Sequence, residues 1–85
     1  MYYVYVLVSE DGKRYIGLTR NLRRRLEEHN RGESRATKGR KWKLVYYEAY
    51  LDGRDARRRE KRLKQDGRAR YALMKRIEGS IDLVG

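Results

Sequence analysis

Tyr2-Tyr3-Val4-Tyr5-Val6-Leu7-Val8, then Ser9-Glu10-Asp11-Gly12-Lys13, then Arg14-Tyr15-Ile16-Gly17-Leu18 is the stretch whose pairing decides this fold. The first run is β-branched and aromatic and reads as a strand. Glu10-Asp11-Gly12 supplies turn residues, and the last run reads as the returning strand of a hairpin. Val4, Val6 and Val8 share one strand face while Tyr3, Tyr5 and Leu7 share the other. Loop length then sets the partners. A two-residue Asp11-Gly12 loop would pair Tyr15 with Val8 and separate it from Tyr5. A three-residue loop with Gly12 left-handed pairs Tyr15 with Leu7 and Gly17 with Tyr5. That register is the expected one: it gathers Val4, Val6, Val8, Ile16 and Leu18 on a core face and leaves Tyr3, Tyr5 and Tyr15 together on the other.

Outward from the hairpin, Asn21 is placed to N-cap a helix running through His29 or Asn30. Gly32 to Lys41 reads as a basic loop, and Lys43 to Ala49, built on Leu44, Val45, Tyr46 and Tyr47, as a third strand. Asp52 and Asp55 suit the start of a helix reaching about Gln65. Gly67 is expected to break it before a last helix, about Arg68 to Glu78. The element order is ββαβαα. With no proline, repeat or linker-like stretch, residues 1–85 read as a single domain with its core in about 2–78. The chain has no cysteine, so neither a disulfide nor a thiolate-held zinc can staple it, and stability must come from one core.

The 85 residues carry a net charge of +11. All 23 basic residues lie between Lys13 and Arg76, against eight acids in that window, a local excess of +15. Such a density points to a polyanion, most simply nucleic-acid phosphate, through screened attraction and counterion release. A membrane surface fits less well, because no helix pairs a basic face with a broad Trp/Leu face, and no apolar run reaches the roughly 20 residues of a membrane span. Residues 1–8 lack the charged start and cleavage site of a signal peptide. The expectation is a cytoplasmic monomer that binds nucleic acid, DNA before RNA. Arg35, Lys38, Arg40, Lys41 and Lys43 sit in or beside a loop with two glycines, suited to backbone-phosphate contacts that position without specifying sequence.

Single residues stand out against this background. Glu60 is the only acid in Arg57-Arg58-Arg59-Glu60-Lys61-Arg62-Leu63-Lys64, and on a helix it lies between Ala56 and Leu63 on the inward stripe. Charge pattern alone leaves two readings open, a ligand for a hard divalent cation or an i,i+4 pair with Lys64. Among Arg23, Arg24 and Arg25, a helix with Leu22 and Leu26 facing in puts Arg25 at the border of the inward face beside His29, Arg24 nearly opposite and Arg23 to the side. Strand propensity alone would make Tyr5 and Tyr15 ordinary core or surface aromatics. Thr19, Trp42, Tyr46 and Tyr47 read mainly as structure.

Taken in order, five segments resemble the GIY-YIG nuclease family. They are Tyr3-Val4-Tyr5; Tyr15-Ile16-Gly17-Leu18-Thr19; Asn21-Leu22-x-x-Arg25-Leu26-x-x-His29; Trp42-x-Leu44-Val45-Tyr46-Tyr47-Glu48; and Ala56-x-x-x-Glu60-x-x-Leu63-Lys64. Together they span about residues 2–78. The resemblance implies an α/β domain with a small three-stranded antiparallel sheet flanked by helices. It also implies an endonuclease that hydrolyses phosphodiester bonds with a single Mg²⁺ or Mn²⁺ held by Glu60. Arg25 would hold the scissile phosphate, Tyr5 or Tyr15 would act as general base or water-positioner, and His29 would contact phosphate. With no base-reading set on a basic helix, the expected selectivity is for substrate structure rather than sequence. Tyr3 stands where the family's first glycine would be, and no asparagine follows Asn30. The second departure favours the alternative, a non-catalytic nucleic-acid-binding module that keeps the fold.

Overall fold

Gly12 takes φ +83°, the left-handed conformation that only glycine adopts without cost, and closes the hairpin turn. The amide of Gly12 donates to the Ser9 carbonyl at 3.0 Å and that of Ser9 to the Lys13 carbonyl at 2.9 Å. Strand β1 (Tyr2–Ser9) then pairs antiparallel with β2 (Arg14–Thr19), with Tyr5 opposite Gly17 and Leu7 opposite Tyr15. This is the register expected from the three-residue loop. The computed structural model describes residues 1–84.

Asn21 caps helix α1 (Leu22–Asn30), its side chain accepting from the Arg24 amide at 3.1 Å. Strand β3 (Trp42–Tyr50) pairs antiparallel with the other edge of β1, so the sheet order is β2-β1-β3. Leu44 lies opposite Leu7 and Tyr46 opposite Val6, so the ladder carries a bulge at Val45. One extra residue reverses the alternation of faces. Trp42 and Leu44 therefore join the face of Leu7 and Tyr5, whereas Tyr46, Glu48 and Tyr50 join the valine face.

Three helices follow: α2 (Gly53–Gln65), α3 (Gly67–Arg76) and α4 (Glu78–Val84). The break between α2 and α3 falls on Asp66 and not on Gly67, which is the first residue of α3. The Asp66 carboxylate accepts from the amides of Arg68 at 2.9 Å and Ala69 at 3.4 Å. The expected last helix, Arg68 to Glu78, instead ends at Arg76, and a fourth helix forms where none was expected. Its reason is tertiary, since Ile77 and Ile81 are buried and Val84 packs beside them.

Val4, Val6, Val8 and Ile16 meet Ala56, Leu63, Leu73, Ile77 and Ile81 in the main core. A second, smaller core on the opposite sheet face joins Tyr5, Leu7 and Trp42 with Tyr15, Leu22, Leu26 and Leu44. Among the described residues no helix is long and apolar enough to cross a membrane.

Candidate active site

The smaller core is also where the polar residues of interest meet. Gly17 lies opposite Tyr5, and a Cβ there would overlap the Tyr5 ring and hydroxyl. Glycine at this position lets the Tyr5 ring lie across β2. Tyr5 is 1% exposed, and its hydroxyl lies 2.8 Å from His29 Nε2. His29 is fully buried, with Nδ1 2.7 Å from Thr37 Oγ1.

The order of donors follows from the far end. Thr37 donates to the Ser34 carbonyl at 3.4 Å, so its oxygen accepts from His29 Nδ1–H. Nε2 is then the acceptor, and Tyr5 donates to it. Burial and the Arg25 charge hold the His29 pKa below its ordinary value, which agrees with a neutral ring. Burial pushes the Tyr5 phenol up to about 12, with the Arg25 guanidinium opposing that rise and the nearby Tyr15 and Glu60 adding to it.

Where His29 was expected to contact phosphate, the structure engages both of its ring nitrogens inside the protein. Thr37, which holds the far end of the chain, was not singled out in the sequence. It lies in a one-turn 3₁₀ helix, Arg35–Thr37, within what read as a plain basic loop. The signal available in the sequence was Ser34 and Thr37, three apart in a charged stretch; in the structure both are buried.

Tyr15 is half-buried and closer to solvent. Its ring packs edge-on against His29 at 4.9 Å and Trp42 at 6.3 Å, with the Lys64 ammonium 5.6 Å above it. Among the described residues its hydroxyl has no hydrogen-bond partner. Trp42 anchors the floor: its Nε1–H donates to the Thr37 carbonyl at 2.9 Å, and its backbone exchanges two hydrogen bonds with the Asn30 side chain.

Arg25 is the half-buried arginine of its triplet, its side chain 32% exposed against 69% for Arg24. Its Nη1 donates to Glu28 Oε1 at 2.8 Å, and this carboxylate raises the guanidinium pKa further. Glu60 reaches the same place from α2, its side chain 22% exposed and one oxygen 3.1 Å from Lys64 Nζ. The i,i+4 pair is thus present, and the other carboxylate oxygen has no partner among the described residues. Those residues contain no group of three or more His, Cys, Asp or Glu able to cage a metal. On donor chemistry, Glu60 fits a hard cation that takes one protein carboxylate and fills its shell with water and substrate oxygens.

Arg35, Lys38, Arg40, Lys41 and Lys43 are all exposed. Arg40 pairs with Asp11 at 3.1 Å and ties the loop to the hairpin turn. Arg57 and Lys61, also exposed, extend the basic surface along the Glu60 side of α2.

Comparison with known proteins agrees with this architecture. A UPF0213 protein of Clostridium perfringens is 42% identical over 67 residues, covering 76% of this chain and 72% of that one. Another from Bacillus licheniformis is 39% identical over 83 residues, covering 92% and 86%. The solution NMR structure of a UPF0213 protein from Bacillus halodurans matches with TM-score 0.56 at 33% identity, over 88% of this chain and 84% of that one. These names state no activity. Residues 1–74 match the model of the GIY-YIG catalytic domain, and the chain belongs to that nuclease family.

Proposed function

We propose that the protein hydrolyses nucleic-acid phosphodiester bonds as a divalent-metal-dependent endonuclease, selecting substrate structure rather than sequence and DNA before RNA. The observation that carries this reading is convergence. Tyr5 from β1, Tyr15 from β2, Arg25 and His29 from α1 and Glu60 from α2 meet around one small aromatic core. Glu60 would hold the Mg²⁺ or Mn²⁺. When bound, such an ion neutralises charge on the phosphate and makes water easier to deprotonate.

The remaining steps fall to side chains of this protein and to solvent. Arg25 has one nitrogen on Glu28 and other guanidinium donors left for the oxygens of the scissile phosphate, where negative charge grows in the transition state. Tyr15, its hydroxyl without a hydrogen-bond partner among the described residues, orients the attacking water and, as the phenolate left once its own proton has gone to solvent, takes the proton of that water. Tyr5 is the poorer base, since burial raises its pKa to about 12 and keeps it a neutral phenol whose hydroxyl already donates a hydrogen bond to His29. Its role is to lock the Tyr5-His29-Thr37 chain against which Tyr15 packs. Water adds to phosphorus in line, the P–O bond breaks, and the leaving oxygen is protonated from solvent.

A second reading, a nucleic-acid-binding module without catalysis, is favoured by Lys64 on the Glu60 carboxylate at 3.1 Å. A nicking assay on supercoiled and branched DNA separates the two. The nuclease reading expects cutting with Mn²⁺ and none with EDTA. Binding at the same salt with no cutting under either condition supports the module.

A further inference from the structure

Beside Tyr15 and Lys64 the site opens into a groove of about 940 Å³ between the edge strand β2 and helices α3 and α4. Its floor is apolar, with Ile16, Met74 and Ile81. Along it stand Arg14, Lys64, Arg70 and Lys75, while the acids Glu78 and Asp82 are confined to the α4 part. Arg70 is held in place by two carbonyls at the end of α2, those of Leu63 and Lys64, each at 3.1 Å. Arg14 has no ion pair among the described residues, and Lys75 has only a 3.9 Å contact with Glu78. Between these cations Tyr71 is 69% exposed, a large aromatic ring left in water on the groove wall.

Building on the nucleic-acid reading above, we propose that this groove seats an unpaired strand of the substrate, with one base stacked on Tyr71 and its phosphates on Arg14 and Lys75. An aromatic face between cations is the arrangement that binds single strands, because a free base offers its π-face and the backbone offers charge. A base inside a duplex is covered on both faces by its neighbours and cannot stack on Tyr71. The acids on α4 repel phosphate, so the strand lies in the part of the groove that adjoins Tyr15 and Lys64. The substrate class that follows is a duplex with an unpaired arm, the arm lying along β2 and the scissile phosphate at Arg25.

Binding measured in EDTA on the full chain tests this apart from catalysis. The probes are a labelled fork with one unpaired arm, as DNA and as RNA, and a fully paired duplex of the same length. Tyr71→Ala should weaken fork binding roughly tenfold for at least one sugar, in line with the loss of one base stack, and leave duplex binding unchanged. Tyr71→Trp should bind the fork like the parent. With so exposed a side chain, melting of both variants should match the parent. Equal losses on fork and duplex, or no loss on either fork, would overturn the groove assignment and leave the surface to a protein partner. In either case duplex binding by the parent protein still supports the nucleic-acid reading on which the proposal rests. A parent protein that binds neither fork nor duplex overturns both.

Discussion

Glu48, gripped by helix α2 from across the sheet, and Glu60, carried on that helix, differ in their surroundings in the way that separates a fastener from a reactive group. Glu48, on β3, is saturated. Arg59 grips it with both Nε and Nη2 at 2.9–3.1 Å, Tyr46 donates to it at 2.7 Å, and Tyr50 donates to its other oxygen. Burial alone would raise the Glu48 pKa, but these three partners together hold it below the usual carboxylate range. Burial and the same carboxylate push the two phenols up to about 12. Glu60 has one lysine, which also lies over the Tyr15 ring, and an oxygen without a partner among the described residues. A carboxylate whose lone pairs are all used holds structure together, whereas one with an open oxygen can accept a cation.

The largest effect expected from this contrast lies at Arg25. Arg25→Ala should lower the cleavage rate by roughly 10²-fold or more, while Arg24→Ala, the same charge removed from the same helix, should cost little. Equal rates would mean that general surface charge, not a positioned contact, does the work. On the Glu48 side the expected loss is in stability. Arg59→Met should destabilise by about 2–4 kcal/mol, because it leaves a largely buried carboxylate without its cation. Arg58→Met, whose partner Asp55 is exposed at the surface, should stay within about 0.5 kcal/mol by chemical denaturation.

Between these lies Gly17→Ala, expected to cost about 1–3 kcal/mol through overlap with the Tyr5 ring. It should also slow cleavage by displacing that ring, as paired melting and rate measurements would show. The smallest effect is in pH. His29 is held neutral, with its folded pKa below the ordinary 6.5, so the unfolded chain takes up the proton first as pH falls. Its stabilising contribution is therefore present above about 6.5 and lost as pH falls from there through the depressed folded value. Thr37→Val should cost about 1–2 kcal/mol near neutral pH by leaving His29 Nδ1–H unpaired.

The hairpin was legible because two independent constraints, a glycine able to turn left-handed and a valine face that must be buried, select one register. The border position of Arg25 was legible for a similar reason, since Leu22 and Leu26 fix the inward face of α1. What lay hidden depends on contacts between distant segments. Glu48 meets Arg59 only because a bulge at Val45 turns β3 over, and the Val45-Tyr46 pair gives no sign of it. Thr37 matters through a histidine on another element. Helix α4 contains Gly79 and Ser80, poor helix formers, and is held by packing of Ile77 and Ile81 that no local pattern announces.

The contrast between the two glutamates is tested most directly by making the same conservative change in each, Glu48→Gln and Glu60→Gln. For both, melting temperature and Mn²⁺-dependent nicking of branched DNA are measured on one preparation, at a temperature where each variant is folded. The expected result is a crossover. Glu60→Gln melts with the parent and no longer cuts, because the amide keeps the shape but lacks the anionic oxygen a hard cation needs. Glu48→Gln melts lower and still cuts. A Glu60→Gln protein that melts normally and cuts at the parental rate would contradict the account and leave Glu60 as a partner for Lys64.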